Sequence, residues 1–247
     1  MTPVVFAGPS IDGVDPAELA GIELRPPARC GDVLAATFDG AGTIGLIDGV
    51  FDTVASVWHK EILYALAAGV NVLGAASMGA LRAAECAAFG MIGIGRIFAE
   101  YHRGERFEDG DVAVIHGPAE FGYRALTEAL VNVEATLTGL GRSGLIAGDE
   151  HEALLTAARK IHFKERTWRG LIDAAGLEPA RRSSVEALVG QHRIDRKRED
   201  AQALLAEMRH PQRTERSVEP ITSERLNRSV FLEELCRRVA AARVSGG

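Results

Sequence analysis

The stretch that decides the fold is Ile44 to Glu85, IGLIDGVFDTVASVWHKEILYALAAGVNVLGAASMGALRAAE. It holds two short apolar runs, one from Thr43, the residue just before it, to Gly49 and one from Asn71 to Ser77, that end in glycine or small residues and read as buried strands. Between them, Val57, Ile62, Leu63 and Leu66 recur at helical spacing and Gly69 supplies a stop. Strand, helix, strand within about thirty residues is a βαβ unit.

Working outward, Pro3 to Gly8 (PVVFAG) reads as a further strand, the alanine-rich run from Met78 to Gly90 as a helix, and Asp111 to His116 (DVAVIH) as a fourth strand. This alternation predicts an α/β fold: a mostly parallel sheet with helices on both faces, followed by an α-helical C-terminal region. Right-handed crossovers put the strand-to-helix turns on one edge, where ligands bind. After Gly148 strands vanish, so residues 1–148 are expected to form the α/β core and 149–247 a helical appendage suited to partner docking. Asp149, Ser183 and Thr222 or Ser223 are candidate N-caps, and RIDRKRED (193–200) reads as a solvated charged stretch.

The charge balance, 28 Lys and Arg against 34 Asp and Glu for a net −6, lacks the basic footprint of a nucleic-acid binder. The three cysteines, Cys30, Cys86 and Cys236, are odd in number and far apart, which fits neither a disulfide framework nor a zinc site and points to a reducing cytoplasm. The opening MTPVVFAGPSIDG has no basic region and only a strand's length of apolar sequence, so neither a signal peptide nor a membrane span is expected there.

Ser77 stands between a strand and a helix in an A-x-S-x-G context, close to the G-x-S-x-G elbow that holds a nucleophilic hydroxyl at a sheet's carboxyl edge. The N–H groups of Met78 and Gly79 at the helix start suit an oxyanion beside it. The same position also suits a serine that only caps a helix. A hydroxyl needs a base, and two of the seven histidines fall on the expected edge: His59 at the start of a helix and His116 at the end of the fourth strand. Asp48, just before Gly49, is placed to orient an imidazole, though Asp-Gly is also a plain turn pair. The loop GPSID offers Gly8 and Ser10 as further anion donors. Arg82 and Glu85 either pair as helix support or, for Arg82, hold a substrate carboxylate. The glycines at 90, 93 and 95 match neither G-x-G-x-x-G nor a P-loop, so a nucleotide site is not expected.

Taken together, GPS (8–10), IGLIDGVF (44–51), VWHKEIL (57–63), GAASMGALRAAE (74–85), FGMIGIGRIF (89–98), DVAVIHGPAE (111–120) and KERTW (164–168) resemble the TfuA-like proteins. The resemblance implies a partner role to YcaO-type enzymes, which use ATP to activate a peptide backbone amide for thioamidation, on ribosomally made peptides and on a methanogenic reductase. Sulfur in that chemistry is held as a thiocarboxylate at the C-terminal glycine of a ubiquitin-like carrier protein. Serine-dependent hydrolysis that releases sulfide from it is the activity that the Ser77 constellation suits, with no cofactor expected. A non-catalytic docking or allosteric module for the YcaO enzyme and its precursor peptide is the alternative. Two short segments, GAASMGA and VIHGP, are also similar to those around the nucleophile and histidine of Clp-type serine proteases, in the same order.

Overall fold

Five short strands pair side by side, all parallel, in the order β2-β1-β3-β4-β5 in the computed structural model, which describes residues 2–51, 54–210 and 219–245. They are β1 (Val4–Phe6), β2 (Glu23–Arg25), β3 (Thr43–Leu46), β4 (Asn71–Gly74) and β5 (Ile92–Gly93). Three helices follow strands in turn: α1 (Asp32–Phe38) after β2, α2 (His59–Ala67) after β3 and α3 (Met78–Cys86) after β4. Then come α4 (Gly95–His102), α5 (Leu130–Arg142), α6 (Gly148–Lys160), α7 (Trp168–Ala174), α8 (Pro179–His192), α9 (Arg196–Arg209) and α10 (Val230–Ser245). This strand order places the topological switch point between β1 and β3, the crevice where such sheets bind ligands.

Alternation along each strand divides the core into two layers. Phe6, Ile44, Leu46 and Val72 face one side, where Leu34 of α1, Ile62 and Leu66 of α2 and Leu232 and Leu235 of α10 cover them. Val5, Ile47 and Leu73 face the other, where Ala201, Leu204, Leu205 and Met208 of α9 form the cover. Those four recur at i, i+3, i+4 and i+7, one apolar stripe of a helix. Gly45 lets α9 approach, since a Cβ there would press on Met208 and Leu204.

The chain therefore divides into a unit of residues 1–107 with 198–247 and a second unit of residues 108–197. The division expected at residue 148 differs because α9 carries an apolar face that covers the sheet and α10 one that joins the α1 and α2 layer. The second unit has its own core, built from Leu137 and Leu140 of α5, Leu154 of α6, Leu171 and Ile172 of α7 and Val185 of α8.

The expected strand from Asp111 to His116 is not one. A 3-10 turn (Asp109–Asp111) leads into irregular chain, with Val112 and Ala113 buried. Lys197 Nζ donates to Val112 O (2.8 Å) and Arg166 Nη1 to Gly110 O in the turn (3.3 Å), and backbone pairing begins only at Ile115, whose carbonyl accepts from Leu126 N–H (2.7 Å). The charged stretch 193–200 is likewise not simply solvated, for Lys197 and Asp200 are buried. The N-caps also differ: α6 is preceded by Ala147, α8 starts at Pro179 and α10 only at Val230.

Candidate functional site

β4 runs into Ala75, Ala76 and Ser77. The Ser77 N–H donates back to the Ala75 carbonyl (2.8 Å), closing a three-residue turn around Ala76, whose φ is +65°. A residue with a Cβ in that left-handed region costs about 1–2 kcal/mol, so the turn is strained. Ser77 occupies the N-cap position of α3, yet its hydroxyl makes no capping hydrogen bond, and the side chain is buried. The simplest structural role for a serine here is thereby removed.

Small residues draw this turn hard against the sheet. A Cβ on Gly79 would overlap the Leu46 carbonyl oxygen, one on Gly74 would overlap the Gly79 carbonyl, and one on Gly49 would overlap the Met78 thioether. Gly79 N–H donates to Ile47 O (3.1 Å). One of the two N–H groups expected to face an oxyanion is therefore spent on holding α3 to the end of β3. The other, on Met78, lies in the first turn, where a helix leaves its N–H groups without intrahelical partners.

One strand over, Asp48 is buried and accepts from Gly8 N–H (2.9 Å) and Ser10 N–H (2.9 Å) through Oδ2 and from the Ser10 hydroxyl (2.7 Å) through Oδ1. The loop expected to hold a substrate anion thus holds the protein's own carboxylate. Gly8, Ser10, Asp48 and Gly49 sit together at the carboxyl ends of β1 and β3, beside the Ser77 to Gly79 turn that ends β4.

His59 pairs with a different carboxylate from the one the sequence proposed. Its Nε2 lies 2.7 Å from Glu85 Oε2, the oxygen that also accepts from Arg82 Nη1 (2.7 Å), while Arg82 Nε donates to Val57 O (2.8 Å). Burial raises the Glu85 carboxyl, but the His59 and Arg82 hydrogen bonds outweigh it and hold the group below the usual carboxylate range. An ionised carboxylate only accepts, so Nε2 carries the proton and, in the neutral ring, Nδ1 the lone pair. Glu85 is eight residues beyond Ser77, about 12 Å along the helix axis at 1.5 Å per residue. His59 is therefore held near the level of Glu85, with its side chain half exposed.

His116 belongs to the 108–197 unit. It sits on a short antiparallel bridge to Ala125, with Nδ1 2.8 Å from Gly117 O and the ring edge-on to Tyr123. A carbonyl only accepts, which leaves Nε2 as the acceptor of its neutral ring.

Glu61 is the buried residue that sequence reasoning passed over. It accepts from Trp58 N–H (2.8 Å), Gly31 N–H (3.0 Å) and Val33 N–H (3.2 Å), so one carboxylate serves the starts of both α1 and α2. The available signal was its place three residues after Trp58, the capping-box spacing. Among the described residues no three His, Cys, Asp or Glu side chains gather as a metal site, and no helix is long and apolar enough to cross a membrane.

The model of the TfuA-like protein family matches residues 48–167. The match begins at Asp48 and takes in His59, Ser77, Arg82, Glu85 and His116, while Gly8 and Ser10 lie before it. No curated protein matches the chain.

Proposed function

The chain belongs to the TfuA-like family through residues 48–167, a family associated with thioamidation, and from that premise we propose that it releases sulfide for a YcaO-type enzyme by hydrolysing the thiocarboxylate of a ubiquitin-like sulfur-carrier protein. Ser77 Oγ attacks the thiocarboxylate carbon as its proton passes to an imidazole, and the tetrahedral intermediate collapses with C–S cleavage. The sulfur leaves as hydrosulfide with the proton returned by the imidazole, and the neutral imidazole then takes a proton from water, which hydrolyses the acyl-serine to a carrier carboxylate as that proton passes back to Ser77 Oγ. Each oxyanion donor in comparable sites contributes about 3–4 kcal/mol of transition-state stabilisation. The precursor peptide meets the released sulfur on the YcaO enzyme, in the cytoplasm.

The observation that carries this reading is Ser77 itself: a buried hydroxyl at a helix start, on a strained turn at the carboxyl edge, that does not cap the helix it begins. The test mixes the protein with a thiocarboxylated carrier and follows sulfide and carrier mass for wild type and Ser77→Ala. Conversion to carboxylate by wild type alone is the expected result. Full sulfide release by Ser77→Ala would sink the proposal.

A second reading, a non-catalytic docking module for the YcaO enzyme and its peptide, is favoured by one feature. The Gly79 N–H and the Gly8 and Ser10 donors are already engaged within the protein. It requires that neither wild type nor Ser77→Ala accelerate sulfide release, with the YcaO enzyme present or absent, while partner affinity stays unchanged by Ser77→Ala.

A further inference from the structure

The segment from Asp48 to Glu61 begins and ends on a buried carboxylate. Asp48 fastens its start to the Gly8 to Ser10 loop, and Glu61 fastens its end to the start of α1. Asp48, Val50 and Ala55 are joined to residues 28–30: Ala28 N–H donates to Asp48 O (2.9 Å), Val50 N–H to Ala28 O (3.0 Å) and Cys30 N–H to Ala55 O (2.9 Å). Gly49 in this segment packs on Met78, next to Ser77, and His59 follows its end. Glu61 is the wholly buried group that its Trp58 end and the α1 start share.

We propose that Glu61 is a positioning residue, a latch that holds Trp58, and with it His59 next along the chain, against the start of α1. This rests on the hydrolase reading for its consequence in catalysis, but the latch is a statement about structure that stands apart from it.

The chemistry of the latch makes it respond to protons. Burial pushes the Glu61 carboxyl up to about 7, against the pull of the Trp58, Gly31, Leu34 and Val33 N–H groups. The titratable groups that feel its charge are the thiols of Cys30 ahead of α1 and Cys236 on α10, with Asp32 and Arg238 also acting on Cys30, while His59 stands two residues before it in the chain. A latch that opens into water returns the carboxyl to its ordinary lower range. Proton binding therefore favours the closed form, and the closed-to-open ratio falls about tenfold per pH unit between the ordinary range and about 7. The latch loosens as pH rises towards 7 and changes no further above it.

The test uses the full chain with Trp168→Phe, which leaves Trp58 as the remaining tryptophan of the two. The expected result is a Trp58 emission transition between pH 5 and 8 that Glu61→Gln abolishes. In the otherwise unaltered protein, the hydrogen-exchange protection of the Gly31, Val33 and Trp58 amides, corrected for intrinsic rates, falls over the same range. Flat protection from pH 5 to 8 overturns the latch even if Glu61→Gln does not fold. So does a transition that survives Glu61→Gln, or one lost only in His59→Gln. Sulfide release assayed on the same proteins separates the two claims. Loss with Ser77→Ala but unchanged kcat and pH profile in Glu61→Gln rejects the positioning role alone, whereas full activity in Ser77→Ala rejects the hydrolase reading and leaves the latch to its spectroscopic test.

Discussion

The carboxylate of Asp200 on α9 accepts from the N–H of Ile97 in the first turn of α4 at 2.7 Å, although the two residues stand 103 positions apart. Its other oxygen accepts from Arg96 N–H (3.0 Å), and Gly95, at φ +92°, makes room for the carboxylate. An acid from α9 thus takes the place of a local cap and complements the positive end of the helix. Asp200→Ala is expected to cost roughly 2–3 kcal/mol in urea denaturation, since it leaves buried donors without partners, and Asp200→Asn less.

The approach of the Ser77 turn to β3 predicts a coupling between Gly49 and Met78. Gly49→Ala collides with a flexible thioether and should cost about 1–3 kcal/mol, and shortening Met78 to Ala relieves that collision. Denaturation of the two single variants and the double variant should show a coupling of about 1 kcal/mol or more. Gly79→Ala meets the Leu46 backbone carbonyl instead, so no side-chain change should rescue it.

Replacing His59 and His116 separately should lower sulfide release sharply in only one case, by about 10²–10⁴-fold for a lost general base. Glu85→Gln removes the carboxylate that fixes the His59 tautomer and should follow the His59 outcome, leaving a His116-dependent rate unchanged. Small equal effects from both histidines would reject the acid–base assignment.

The second unit carries its own acid-sensitive pair. Arg181 forks onto Glu150 (Nε to Oε1 2.5 Å, Nη2 to Oε2 2.7 Å), and these bonds together with Ala147 N–H bring the Glu150 carboxyl down to about 2. A depressed folded-state value means the contribution is present above the ordinary carboxylate range and is lost as pH falls through it towards about 2. Stability followed from pH 5 to 2 should fall less steeply in Glu150→Gln than in wild type.

Much of the sheet was legible because β1, β3 and β4 are interior strands whose apolar runs end in turn residues, and α2 and α3 carry their own periodicity and stops. β2 and β5 were missed because three residues and two residues, partly exposed, carry little hydrophobic signal. The run DVAVIH misled for a physical reason: only Val112 and Ala113 of it are buried, Ile115 is exposed, and the Val112 carbonyl is satisfied by Lys197, far along the chain. At the site, the turn at Ser77 followed from its small neighbours. That Asp48 would serve Ser10, and His59 would turn to Glu85, depended on side-chain reach across strands and helices, which spacing does not encode.

The return of α9 and α10 to cover a sheet begun nearly two hundred residues earlier has a consequence for synthesis. When a ribosome has made residues 1–148, every candidate site residue already exists, and α1 and α2 can cover one face of the sheet, yet the other face still lacks α9. At typical elongation rates that nascent sheet waits roughly 5–20 s for its last two helices. Over that interval Val5, Ile47 and Leu73 are apolar surface offered to chaperones, and the Ser77 site matures only as the C-terminal helices emerge.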